Sequence, residues 1–452
     1  MILSSARKSA SLRFFLPLFL LMFGLCSGLR AQDWVHIETN QGNPKIVIAA
    51  ADFKAGSADP MTMGLKSAFD QTLYNDLRYA GIFDVVSKSM IPNATPGSPQ
   101  EINMAQWAGA PSNAAYVAFG TLAVNGGRVT VQGYLYQTQN AASGQVLGKQ
   151  YSDNASVEAA RQIAHRFADE IIAQLGGMAG IAETKIYFVS NRTGSKEIWV
   201  MDYDGMNQRQ LTHLHTVSLS PRISPDNSRV AFSSLGREGW SIRMFSLDLN
   251  RLVAFPAWGD TTLSPAWSSD GNRLAFSSAR TGDPEIYVCD ASGAGAHRIT
   301  AFRGPDVSPT WNPKTNGQIA WVSGRTGLPQ IYIMDADGGN VQRLTDGGYA
   351  SAPSWSPNGE LLTFAWNRSY GPGAPGGEDI YVMDIASKRW TQLTHGEGMN
   401  DAPSWAPDGR HIVFQREANG HSEVWMMLAD GTDQQQLTHG DGSNTQPNWS
   451  WK

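Results

Sequence analysis

Ser264-Pro265-Ala266-Trp267-Ser268 is one copy of a phrase that recurs through the second half of the chain. The other copies are Ser220-Pro221-Arg222-Ile223-Ser224, Ser308-Pro309-Thr310-Trp311-Asn312, Ala352-Pro353-Ser354-Trp355-Ser356, Ala402-Pro403-Ser404-Trp405-Ala406 and Gln446-Pro447-Asn448-Trp449-Ser450. Their apolar anchors stand at 223, 267, 311, 355, 405 and 449, so four steps measure 44 residues and one measures 50. The long step holds the Gly/Pro-rich insert 371–377, which lengthens one connection without disturbing the repeat. A fixed period of this size means stacked supersecondary units.

Within one period the pattern is strand-like. Residues 265–268 form a first strand (A), 273–278 a second (B), 285–290 a third (C) and 297–300 a fourth (D). The breaks between them carry Asp-Gly and Pro-Gly signals, the chemistry of hairpin turns. Four short strands in about 44 residues make one propeller blade. A blade cannot cover its own faces, and the Trp on strand A is expected to fill the gap between neighbours. The last copy stops after its first strand, at 446–452. The missing B, C and D strands stand at the front of the array, in 186–190, 197–202 and 210–212. One composite blade built from both chain ends brings the count to six and closes the ring, leaving no open edge.

Residues 1–31 carry Arg7, Lys8 and Arg13, a ten-residue apolar run at 14–23, and small residues up to Ala31. This is the build of a secretory signal peptide, and the run is shorter than the roughly 20 residues a membrane span needs. The whole chain has formal charge −5, and the leader's four basic and no acidic residues leave −9 on 32–452. Such a balance argues against nucleic acid and anionic membrane as partners. Beyond the leader Cys289 stands alone, where other repeats have Met201, Met334 and Met383, so it is expected as a core thiol. No later stretch is apolar enough to span a bilayer. An exported, soluble, monomeric product is expected.

Residues 32–180 lack the repeat and read as a separate small α/β domain, followed by the propeller at 181–452. Strands are expected at 45–53, 82–87 and 145–152, a hairpin at 115–137 around Asn125-Gly126-Gly127, and helices at 64–79 and 156–175 with Ser156 as a cap. The fold class is thus α+β in two domains, with an all-β six-bladed propeller closed by the C-terminal strand.

Catalytic chemistry is hard to find. No Gly-x-Ser-x-Gly elbow occurs. His213-x-His215 lacks further metal ligands, and Asp202-Tyr203-Asp204-Gly205 and Asp335-Ala336-Asp337-Gly338 lack the later oxygen ligands of a calcium loop, so both read as turns. No catalytic residue, cofactor or metal is expected. A surface remains. Strand alternation puts the B–C and D–A loops on one face of the ring. Each B–C loop there carries an Arg (192, 237, 280, 325, 368, 416), expected to fork onto a carboxylate of a neighbouring blade as repeat glue. The D–A loops vary and crowd the channel mouth, where exposed Trp258, Tyr349 and Met399 would anchor a partner.

With its leader, α/β domain and closed ring of Pro-x-Trp-Ser-Pro-x-Gly and Ile-Tyr-x-Met-Asp copies, the chain resembles the TolB family, periplasmic components of the Tol-Pal envelope system of two-membrane bacteria. The resemblance implies a non-enzymatic adaptor for outer-membrane integrity and constriction during division. The Pal lipoprotein would dock on the loop face at Trp258, Gly259, Asp260, Asp306, Val307, Tyr349, Met399, Asn400 and Asn444. The start of the mature chain, Gln32, Asp33, Trp34, Val35, His36, Ile37 and Glu38, would reach TolA, with other outer-membrane proteins as further partners. Alternation along 34–37 suits an added strand. The same segment also suits an ordinary edge strand of the front domain. A rival reading is a secreted hydrolase or glycan-binding propeller that uses the channel mouth.

Overall fold

The computed structural model describes residues 44–139, 144–258, 261–371, 377–440 and 442–451. The expected leader, the segment 32–38 and most of the Gly/Pro insert lie outside the described residues.

The front domain is a mixed sheet with two long helices on one face. In chain order it contains β1 (Ile46–Ala50), β2 (Lys54–Ala55), α1 (Pro60–Tyr79), β3 (Phe83–Val85), α2 (Met104–Ala108), β4 (Tyr116–Asn125), β5 (Arg128–Gln137), β6 (Gln145–Asn154) and α3 (Val157–Gly176). The sheet order is β3-β1-β4-β5-β6, with β2 paired to β4. β4 and β5 are joined by Gly126-Gly127, both at positive φ (55° and 74°), as a two-residue hairpin turn requires. α1 starts four residues earlier than the periodicity suggests. Asp59 accepts from the Met61 and Thr62 amides at 3.0 Å, and Pro60 presets the first turn. α3 is capped by Ser156, whose hydroxyl accepts from Ala159 N at 3.1 Å, and ends on left-handed Gly177. Leu65, Phe69, Leu73 and Leu77 of α1 meet Ile163, Phe167 and Ile171 of α3 and Phe53 in one core. Trp107 of the unanticipated α2 is buried against the other face of the sheet, with Phe119.

The remainder is a ring of six four-stranded antiparallel sheets. Five are sequential: 218–253, 262–298, 306–343, 349–392 and 399–436. The sixth takes its inner strand, Asn444–Trp449, from the chain's end and its other three from Lys185–Ser190, Glu197–Asp202 and Arg209–Gln210. Trp449 pairs with Ile186 and Asn444 with Ser190 in that closing sheet. Strands B and C of the second blade fall at Arg273–Ser278 and Glu285–Asp290, as expected, whereas D pairs only over His297–Arg298.

Strand A differs more, running Thr262–Trp267 and starting before the Ser-Pro phrase. Its register shifts between Leu263 and Ala266. Every strand A has this bulge, and the residue before the proline is left-handed each time: Ser220, Ser264, Ser308, Ala352, Ala402 and Gln446, with φ of 49–55°. Non-glycine residues seldom adopt that region, and the bulge turns the strand along the channel wall.

The anchor Trp bridges blades as expected. Nε1 of Trp267 donates to Arg222 O (3.2 Å), that of Trp311 to Ala266 O (3.1 Å) and that of Trp355 to Thr310 O (3.3 Å), each on the preceding strand A. Cys289 is buried in the first-to-second blade core, and burial pushes its thiol up to about 12. It packs as a small hydrophobe.

The two domains meet on the turn face of the ring. Asp76 of α1 accepts from Tyr203 Oη (2.6 Å) and contacts His165 Nδ1 of α3 (2.8 Å). Arg161 pairs with Asp204 at 2.6 Å, and His411 Nε2 lies 2.7 Å from Tyr79 O. The Asp202-Tyr203-Asp204-Gly205 turn is therefore a docking element for the front domain. His165, Asp202 and Asp204 bring possible ligand atoms within 4.8 Å of one another. Their oxygens are nevertheless taken: Arg161 and Met206 N hold Asp204, and Lys185 and Asn207 hold Asp202.

Candidate partner-binding face

With the front domain on the turn face, the B–C and D–A loops stand clear around the other mouth of the channel. The D–A loops reach that mouth because they feed the innermost strands. Each strand A has a buried residue at its first or second position on the loop face: Ser218, Thr262, Asp306, Ala350, Asn400 and Asn444.

These buried positions organise the face. Arg416 Nε donates to Asn400 Oδ1 (2.7 Å), and Asn400 Nδ2 donates to Asp379 Oδ1 of the preceding blade (3.1 Å). Asp379 in turn accepts from Thr394 Oγ1 (2.8 Å), which also takes the Ile380 amide (2.9 Å). The chain repeats as Arg192, Asn444, Glu423 and Thr438, with 2.7 Å between Arg192 and Asn444 and 2.8 Å between Asn444 and Glu423. The Thr that follows Leu211 and the one that follows Ile299 serve the same lock, Thr212 on Glu197 and Thr300 on Glu285, both at 2.6 Å.

Arg192 and Arg416 each reach an Asn at the start of their own strand A, whose amide carries the link to the acid of the blade before. Arg416 also pairs directly with Glu397, in the connection from the preceding blade, at 2.9 Å. The guanidinium lies over its own blade's aromatics, Arg192 4.6 Å from the Trp199 ring centre and Arg416 4.5 Å from that of Trp425. Arg325 is the variant case. It pairs with Asp306 Oδ2 at 2.9 Å, and Asp306, lacking the amide N–H of Asn400 and Asn444, has an Oδ1 without a partner among the described residues. Glu285 behind it has a raised pKa, through burial first and the Asp306 charge after it.

The other expected contact residues divide by exposure. Met399 is 45 % exposed at the start of its strand. Tyr349 is half-buried, 5.6 Å ring to ring from Tyr370. Trp258 is not the free anchor expected. It lies flat on Phe276 at 4.4 Å and 11°, with Phe255 edge-on at 5.4 Å. Val307 is half-buried on the channel wall. Asp306, Asn400 and Asn444 sit beneath the surface in the lock just described, and Gly259 and Asp260 lie outside the described residues.

Two features escaped the sequence reading. A groove of about 420 Å³ runs between the B–C hairpin 236–243 and Trp258, with Trp240 and Arg237 in its walls. At the mouth, Glu378 stands near Asp401. Burial and then the Asp401 charge push Glu378 up to about 7. Burial likewise raises Asp401, against the Ala402 amide and Ser351 that stabilise its charge. Glu378 follows the irregular insert, so no repeat position flags it.

The chain matches the family model described as the TolB beta propeller domain over 172–370 and 345–452, and the TolB amino-terminal domain model over 35–143. The chain belongs to the TolB family. A curated TolB homolog of Chlorobium chlorochromatii is 36 % identical over 202 residues, 44 % of each chain. The Tol-Pal system protein TolB of Gluconobacter oxydans is 33 % identical over 362 residues, 78 % of this chain and 75 % of that one. The matched region spans about half the length of the first of these family members. A crystal structure of TolB from Acinetobacter baumannii shares the fold, with a TM-score of 0.77 at 23 % identity, covering 91 % of this chain and 98 % of that one. The two-domain order and the six-blade closure are thus those of the TolB fold.

Proposed function

We propose that the chain is a non-enzymatic periplasmic scaffold of the Tol-Pal system, binding the Pal lipoprotein on its loop face and TolA through residues 32–38. The observation that carries this reading is the loop face itself. The front domain docks on the opposite side, leaving the ring of loops clear among the described residues, with Met399 exposed and Tyr349 and Trp258 partly so. Aromatic and Met anchors over a rigid scaffold suit protein recognition. Relatives named as Tol-Pal system proteins give the partner class. Among the described residues no helix is long and apolar enough to cross a membrane.

Calorimetry of residues 32–452 with the cognate Pal domain tests the reading. Micromolar or tighter binding is expected. Tyr349→Ala and Met399→Ala should each weaken it about tenfold, the usual cost of truncating an anchor, and Asp260→Lys should weaken it too. Removing 32–38 should abolish capture of the TolA periplasmic domain. Absence of Pal binding at every salt concentration overturns the proposal.

A further inference from the structure

The channel mouth on the turn face has a chemistry unlike the rest of this acidic molecule. A cavity of about 110 Å³ opens there, walled by the strand A residues that precede the anchors and by the anchor Trp rings. The six positions before the anchors are Arg222, Ala266, Thr310, Ser354, Ser404 and Asn448. Arg222 is thus the one formal charge among the described residues lining the cavity, and no Asp or Glu shares it.

The Arg222 guanidinium is poorly satisfied. Its side chain makes one hydrogen bond among the described residues, from Nη1 to the neighbouring Pro221 O at 2.9 Å. It has no carboxylate partner, in contrast to Arg325 and Arg416. Four of its five N–H donors are left for whatever fills the cavity. The hydroxyls of Thr310 and Ser354 line the same space and donate to no protein acceptor among the described residues. Burial alone pushes the guanidinium down to about 10, with no acidic neighbour to oppose it, and it stays cationic at neutral pH. Arg222 is half-buried, and a partly desolvated cation without a counter-charge is less well stabilised than a paired one. An acceptor with several oxygens would relieve that cost through charge-assisted bonds.

We propose that this end of the channel is a binding site for a small oxyanion of the phosphate or sulfate class, held by Arg222 with the Thr310 and Ser354 hydroxyls. The site lies at the opposite end of the channel from the loop-face mouth, where Glu378 and Asp401 stand. Because Arg222 lies beside the closing blade, whose Asn448 Oδ1 accepts the Ile223 amide at 3.0 Å, a bound anion would also tie the first blade to the closure.

The test uses the full folded chain, with inorganic phosphate and sulfate as probes in chloride buffer of constant ionic strength. Protein-dependent broadening of the phosphate ³¹P line is expected, reversed by sulfate and not by equimolar acetate. Arg222→Gln should weaken binding on the order of tenfold or more, as removal of a charged donor does, and Thr310→Val with Ser354→Ala should weaken it less. The double variant keeps the proposal testable if Arg222→Gln fails to fold. Both anions stabilise proteins generally by exclusion from the surface. A phosphate-dependent rise in Tm therefore counts only to the extent that it exceeds the rise in the variants. No line broadening, or the same broadening in the variants, overturns the proposal.

Discussion

A single atom distinguishes two kinds of blade junction on the loop face. Where Asn400 or Asn444 stands at the start of strand A, its amide accepts from Arg and donates to the acid of the blade before. Asp306 meets Arg325 equally well at 2.9 Å but presents an unpaired oxygen towards Glu285. Arg325→Met should therefore cost about 3 kcal/mol, because it strands a buried carboxylate. Adding Asp306→Asn to that variant should recover most of the loss, by removing the charge and supplying the donor. Denaturant midpoints of the three proteins check both expectations, and failure of the second change to rescue would contradict the lock. Thr394→Val removes the partner of both the Ile380 amide and Asp379. About 1–2 kcal/mol of destabilisation is expected in the same measurement. This lock also explains why Leu-Thr recurs, a regularity visible in the sequence whose purpose was not. Each Thr meets the side chain 15 residues before it in its own blade, but the onward links to the Asn of the next blade and to its Arg cross between sheets and are not marked by spacing.

At the scale of elements, the docking of α1 and α3 on the ring rests on a buried polar cluster. Burial, outweighing the help of His165 and Tyr203, raises the Asp76 pKa. For His165 burial favours the neutral ring, but the Asp76 charge and hydrogen bond prevail, and the pKa is raised. Both groups thus bind protons more tightly folded than unfolded. Their stabilisation is complete below the unfolded values and is lost as pH rises through the folded ones. For His165 the loss begins above its ordinary 6.5. Thermal unfolding should show Tm falling from that pH upward, and His165→Gln should flatten the fall. Sequence periodicity found α1 and α3 because their apolar faces are regular. Strands B and C of the second blade were legible to the residue because turn signals bound them. Strand A was misplaced because its bulge puts Ser, Ala or Gln at positive φ, where glycine would have been the visible marker. The free-standing Trp258 was misjudged because its stacking partner, Phe276, lies on a strand of the next blade.

For the whole molecule, stability depends on a joint between residues more than 250 positions apart. The inner strand of the closing blade makes the ladder with Lys185–Ser190, Trp449 Nε1 donates to Thr184 Oγ1 at 2.8 Å, and Lys185 N donates to Ser450 Oγ at 2.9 Å. The same sheet also carries the front domain, through Tyr203 and Asp204. Without residues 444–452 the strand Lys185–Ser190 would become an exposed, almost wholly buried-type edge, the kind that recruits other chains. Truncation after Ser443 should therefore convert one cooperative transition into a broader one at lower temperature, with oligomers on size-exclusion chromatography. A synthetic peptide of 444–452 added in trans should restore both the transition and the monomer, since it returns the missing ladder without any covalent link. A truncated chain that stays monomeric and unfolds as before would show that the ring holds without its seam. In that case the loop face, which needs six fixed blades to keep its geometry, would owe its rigidity to the inter-blade locks alone.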